Sequence, residues 1–196
     1  MTWTKQNPYL AKISYKKLLS GKQSKKEVIH YEISLGDSGI IYQPGDSLGI
    51  FPINNNILVR AIINRLQISP AYIPEGYDLN IYELLEKKFE ILTPTNRLIK
   101  FVNHNIDHIA LNYSLDTKNR NTLMDFKYGK DVLDFMNLDK NLKFDVLHFL
   151  TLLKPLQHRA YSIASSNLIY KNSVHLSVST QRWQRKSRDY GGVCST

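Results

Sequence analysis

The sequence predicts an α+β fold in which an antiparallel β domain is interrupted by a block of helices, and three observations predict it. Apolar residues alternate with polar ones between residues 9 and 51. From Asn54 they recur instead at helical spacing. After Pro155 the alternation returns.

The elements follow in order. "YLAKISYKKLL" at 9–19 and "EVIHYEISL" at 27–35 read as strands, and "SGIIYQPGDSLGIF" at 38–51 reads as two short apolar runs around a turn. In that turn Pro44 presets φ and Gly45 accepts the positive φ of a type II turn, so the polar residues there are given a structural role. The run "NNN" at 54–56 offers an N-cap, after which Ile57, Leu58, Ile62 and Leu66 share a helical face up to the break at "SPAYIPEG". Further helices are expected in "IYELLEKKF", "TNRLIKFVNHNIDHIAL", "GKDVLDFMNL" and "DVLHFLTLLK". "HRAYSIASS" and "SVHLSVSTQRW" are the returning strands, with Val174, Leu176 and Val178 alternating with His175, Ser177 and Ser179. The expected division is a discontinuous β domain at 1–53 and 145–196 around a helical insertion at 54–144.

Composition limits the function classes. With 196 residues, 42% of them hydrophobic, the chain can bury a core as one domain or one domain with an insertion. The longest apolar cluster, "LHFLTLL" at 147–153, falls far short of the roughly 20 residues that cross a bilayer. "MTWTKQNPYL" has no secretory pattern, and the single Cys194 leaves no internal disulfide, so a cytoplasmic protein without membrane contact is expected. The net charge is +9, with seven lysines before Glu27 and a basic run "RWQRKSR" at 182–188. Such a surface seeks phosphates or an acidic protein. Nucleic-acid binding has charge alone in its favour and is not expected.

Two stretches carry chemistry. In "RAYSIASS" at 159–166, strand alternation puts Arg159, Tyr161 and Ile163 on one face and Ala160, Ser162 and Ala164 on the other. Arginine makes paired charged hydrogen bonds to a pyrophosphate, tyrosine offers a stacking plate, and serine offers a donor and acceptor to a heterocycle. Together they suit a dinucleotide with an aromatic ring system. In "GGVCST" at 191–196, two glycines permit close backbone approach to a phosphate, and the following amides can form an anion-binding nest. Other templates fail. "HNIDH" at 104–108 has Asn105 where a zinc protease motif has glutamate, and the other four histidines are scattered, so no metal is expected. No P-loop or GxGxxG fingerprint occurs, and Cys194 has no base partner that would make it a nucleophile.

"GDSGIIYQPGDSLGIFPINN", "GKDVLDF", "RAYSIASS" and "GGVCST", in this order around a helical block, resemble the FAD-binding region of the diflavin reductases, most closely those of the sulfite reductase type. The resemblance implies a ferredoxin-reductase-like antiparallel barrel with a helical connecting subdomain, and FAD as cofactor. It gives Arg159 to the FAD pyrophosphate, Tyr161 to the isoalloxazine, and Ser162 to its reactive N5 edge as the catalytic contact, with Ala160 between them. Ser177, Val178 and Ser179 would approach the cofactor. Trp183 stands where a tyrosine is common, and Gly191, Gly192, Val193, Cys194 and Ser195 would wrap the phosphates. Thr93 and Tyr128 fall near further contacts. Two departures, Ala160 for a larger residue and "SVS" for Thr-Val-Gly, are expected to loosen the site.

In that family NADPH reduces FAD, electrons pass to FMN, and a haem or iron–sulfur reductase subunit receives them. The family pattern continues beyond "GGVCST" into an NADPH domain and is preceded by a flavodoxin-like FMN domain. The chain is therefore read as an FAD module that meets NADPH and FMN only through other domains or partners. The alternative is a catalytically incomplete module that docks an acidic flavodoxin-like partner through its basic surface.

Overall fold

The computed structural model describes residues 3–4, 7–116, 120–185 and 188–196, so Lys5 of the N-terminal lysines and Lys186 and Ser187 of the second basic run lie outside the described residues. The chain opens with three strands, β1 (Lys12–Leu18), β2 (Glu27–Ser34) and β3 (Ser47–Ile50). Helices α1 (Asn56–Leu66) and α2 (Ile81–Lys87) follow, then the short strand β4 (Phe89–Glu90). Five more helices come next: α3 (Asn96–Asn105), α4 (Ile109–Asp116), α5 (Arg120–Lys127), α6 (Val132–Met136) and α7 (Val146–Leu152). The remaining elements are strands, β5 (Lys154–Pro155), β6 (Arg159–Ser162), β7 (Ser173–Thr180), β8 (Arg182–Arg185) and β9 (Arg188–Gly191). The chain divides into two compact units, Met1–Phe51 with His158–Thr196, and Pro52–Gln157.

The first unit is built on the antiparallel sheet β1-β2-β7. Ile29 faces Val178, Tyr31 faces Leu176 and Ile33 faces Val174, so one side of the sheet is apolar. Ile33, Leu35, Tyr42, Val174, Leu176 and Val178 are buried together there. Among the described residues, edge strand β1 pairs with β2 alone, and it carries Lys12, Lys16 and Lys17, charges that discourage further strand addition. A second antiparallel pair, β3-β6, is linked to β7 through an Ile163–Leu176 bridge. The buried Tyr42 hydroxyl is hydrogen-bonded to Ser165 Oγ at 2.7 Å and donates to the Ser173 carbonyl at 3.0 Å, tying the loop after β6 to the start of β7.

Only Ser47–Ile50 of the 38–51 stretch pairs as a strand. Gly45 sits at φ +96°, and Asp46 closes the turn, its amide donating to Gln43 O and its carboxylate accepting from the Gln43 amide. Those local bonds compete with sheet pairing and win around residue 43.

The second unit buries one apolar core from six of its helices, centred on Val59, Ile62, Ile81, Leu85, Leu98, Phe135 and Phe149. Asn55 of the "NNN" run caps α1, accepting from the amides of Ile57 and Leu58. Asn80 with Glu83 and Asp131 with Asp134 form capping boxes on α2 and α6. The Arg65 guanidinium donates to the carbonyls of Met136, Asp139 and Leu142, holding the segment after α6. The helix expected over 95–111 breaks at Ile106, whose extended backbone puts His104 at the end of α3 and His108 in the link to α4. His108 there accepts from the Leu111 amide through Nδ1.

Antiparallel sheets plus helices make this an α+β fold. Among the described residues the strands pair into four sheets and no closed barrel is formed, and the barrel that the resemblance implies is itself expected to be incomplete at its C-terminal end. No helix among the described residues is long and apolar enough to cross a membrane.

Candidate functional site

Strand β6 positions the opening residues of "RAYSIASS". It pairs with β3 so that Arg159 faces Ile50, Ala160 faces Gly49, Tyr161 faces Leu48 and Ser162 faces Ser47. Arg159 and Tyr161 are half-buried, while Ala160 and Ser162 are exposed, as alternation requires. Tyr161 packs with Tyr31, Leu48 and Ile50 against the core of the first unit. It lines an apolar cleft of about 760 Å³ whose wall also includes Ile33, Leu176, Cys194 and Ser195.

The glycine turn of the C-terminal stretch reaches the same place. The Tyr161 hydroxyl and the Cys194 thiol share a hydrogen bond, and the Arg159 cation acts on both groups. "RAYS" and "GGVCST", remote in sequence, therefore meet in space. Gly192 N donates to Gln181 O at 2.8 Å, Ser195 N donates to Gly192 O at 3.2 Å, and Ser195 Oγ accepts from the Gln181 amide at 3.2 Å. A Cβ on Gly191 would press on the Thr196 side chain, and one on Gly192 on the Ser195 hydroxyl, so a larger residue at either position requires those side chains to shift. The Thr196 hydroxyl donates to Gly192 O at 2.7 Å, closing the turn on itself. Val193 is half-buried in that turn.

On β7, Ser177 and Ser179 are exposed and Val178 is buried in the core. Trp183 lies on the two-stranded β8-β9 ribbon, stacked on its partner Tyr190 with ring centroids 5.5 Å apart at 13°. Thr93 and Tyr128 belong to the second unit. Thr93 is exposed in the bend before α3, and Tyr128 is exposed on the turn after α5. Sequence reasoning missed the apolar wall made by Tyr31, Leu48 and Ile50. Its signal was present as alternation in "EVIHYEISL" and "DSLGIF", but which strand faces β6 is a matter of register.

Burial pushes the Cys194 thiol above its ordinary pKa, while the Tyr161 hydrogen bond and Arg159 pull it the other way. Burial, and then Cys194, push Tyr161 up to about 12. Alkylation of Cys194 by iodoacetamide is accordingly expected to rise with pH along a curve displaced upward from that of the unfolded chain. The contribution to stability is present below the unfolded thiol pKa and fades as pH climbs through the folded one, because the unfolded chain loses its proton first. Coincident folded and unfolded labelling curves would contradict the burial of this thiol.

Comparison with known proteins bears on what this arrangement holds. The chain is 30% identical to the sulfite reductase [NADPH] flavoprotein alpha-component of Bacillus subtilis (strain 168), over 99% of this chain and 33% of that protein. It is 31% identical to the protein of the same name from Zymomonas mobilis subsp. mobilis, over 99% of this chain and 32% of the relative. The protein of that name from Escherichia coli O9:H4 (strain HS) is 30% identical over 99% of this chain and 32% of its own length. The chain thus spans about a third of the length of these curated relatives. The family described as FAD binding domain matches residues 2–196, which supports FAD as the cofactor. By that match over nearly its whole length, the chain belongs to the FAD binding domain family.

Proposed function

We propose that this chain is the FAD-binding module of a sulfite-reductase-type flavoprotein, with the flavin held by Met1–Phe51 and His158–Thr196 and the helical unit serving as the connecting insertion. The observation that carries the reading is the meeting of Arg159, Tyr161 and the Cys194 turn in one place. A cation, an aromatic ring and a glycine turn beside an apolar cleft are the donor set that a flavin dinucleotide needs, so the residues present fit FAD.

In this reading Arg159 grips the pyrophosphate, and the amides of residues 191–195 complete the anion site. Tyr161 orients the flavin ring, with Ser162 at its N5 edge, and Ser177, Val178, Ser179 and Trp183 border it. Ala160, small and exposed, leaves room at the strand surface. The strands of the first unit are proposed to be the flavin barrel of the resembling family. When bound, FAD supplies the two-electron to one-electron chemistry that links NADPH to FMN. A flavodoxin-like FMN domain and a haem or iron–sulfur reductase subunit are the proposed redox partners. The family match favours this reading over a docking module without cofactor.

Titration of the purified chain with FAD, followed by quenching of flavin fluorescence, tests the reading. Saturable one-to-one binding is expected, with riboflavin, which lacks the pyrophosphate, binding at least about tenfold more weakly. Absence of saturable FAD binding by the folded chain, or equal affinity for riboflavin, would overturn it.

A further inference from the structure

Outside the flavin site, His30, Glu32 and His175 form the one group of potential metal ligands among the described residues, with their ligand atoms all within 4.8 Å of one another. The arrangement follows from strand geometry. His30 and Glu32 are two residues apart on β2 and so project from the same side of the sheet. His175 on β7 is the direct cross-strand partner of Glu32. His30 Nε2 lies 3.5 Å from Glu32 Oε1, and His175 Nε2 lies 4.0 Å from Glu32 Oε2. Neighbouring ligands of a tetrahedral zinc ion with bonds of about 2.05 Å are about 3.3 Å apart, so small side-chain rotations bring the three onto one ion.

We propose that His30, Glu32 and His175 bind one divalent transition-metal ion of the zinc class, which bridges strands β2 and β7. Two imidazoles and one carboxylate match the preference of such ions, and exclude magnesium and calcium, which favour all-oxygen sites. The environment suits an occupied site. His175 is buried and fixed, with the Tyr170 ring 4.1 Å away and Ser173 Oγ 3.2 Å from its Nε2. Its backbone amide donates to the buried Ser165 hydroxyl at 3.0 Å. The side chains of His30 and Glu32 are 23% and 34% exposed, which leaves the ion an entry path and water a fourth position. The Ser173 hydroxyl, 3.2 Å from His175 Nε2, gives up that hydrogen bond when this nitrogen ligates the ion. The two histidines come from strands far apart in sequence, which is why the scattered histidines carried no metal signal on their own.

The test uses the whole chain without FAD, so its outcome is independent of the flavin reading. Zn²⁺ is titrated in competition with a chromophoric chelator at neutral pH, and Co²⁺ substitution reports coordination through its visible absorption. The parent is expected to bind one Zn²⁺, to show the intense bands of four-coordinate Co²⁺, and to melt at a higher temperature with Zn²⁺ present. His30→Ala and Glu32→Gln, both at partly exposed positions, should each weaken binding by about tenfold or more, and their double variant should lose the Co²⁺ bands. His104→Ala with His108→Ala should leave the Zn²⁺ stoichiometry and the Co²⁺ bands unchanged. Circular dichroism establishes that each variant is folded. Stoichiometric binding that survives in the folded double variant, or no specific binding by the parent, would overturn the proposal.

Discussion

Arg159→Ala is expected to weaken FAD binding by about thirtyfold, or about 2 kcal/mol, because a charged pyrophosphate loses a paired donor inside a partly buried site. The half-buried guanidinium acts electrostatically on Tyr161 and Cys194, so it stands beside the ring that is proposed to meet the flavin. Arg159→Lys separates charge from geometry. It keeps the cation but not the planar fork, and an intermediate loss is expected. Fluorescence titrations of the three proteins, each checked for folding by circular dichroism, decide the matter. An alanine variant as tight as the parent would remove Arg159 from the site.

Phe135→Ala carries the largest expected effect on stability, a loss of about 3–5 kcal/mol in the helical unit. Phe135 is fully buried on the short helix α6 and meets the Phe126 ring edge-on at 5.9 Å. Truncation removes that contact and leaves a cavity which α6, with only five residues and anchored by the Asp131 capping box, can do little to close. Urea unfolding followed by far-UV circular dichroism measures the change. Phe135→Leu, which retains most of the volume, should cost clearly less. Equal stability of the alanine variant and the parent would mean that the unit does not depend on this packing.

Much of this was legible in the sequence, and for identifiable reasons. Alternation in "EVIHYEISL" and "SVHLSVST" marked β2 and β7 because one face of each is buried, and Val174, Leu176 and Val178 went inside together. Asn55 announced the start of α1 because a side-chain oxygen there satisfies amides that the helix leaves open. Apolar runs were less informative. Ile40 and Ile41 resemble a strand in composition, yet the Gln43–Asp46 turn takes their neighbourhood out of the sheet. Periodicity likewise ran straight through Ile106, where the backbone turns extended. The site shows the same division. Arg159 and Tyr161 were visible as residue types on one strand face, and the match to a known pattern gave them roles. That the Tyr161 hydroxyl would meet Cys194 depends on how the β8-β9 ribbon returns the chain to β6, and no local pattern encodes that path.

The first unit is assembled from the two ends of the chain, and this has a consequence for how it forms. Strand β2 finds its partner β7, and β3 finds β6, only across the whole helical segment, so neither pairing can be completed locally. Closing so long a loop costs entropy before any sheet contact offsets it, which makes such pairings slow. During synthesis Pro52–Gln157 emerges before β6 and β7 do, and its short-range helical contacts can form while β2 and β3 wait with open edges. The waiting strands are therefore the part of the nascent chain most exposed to aggregation, and the lysines of β1 beside them act as gatekeepers during that interval.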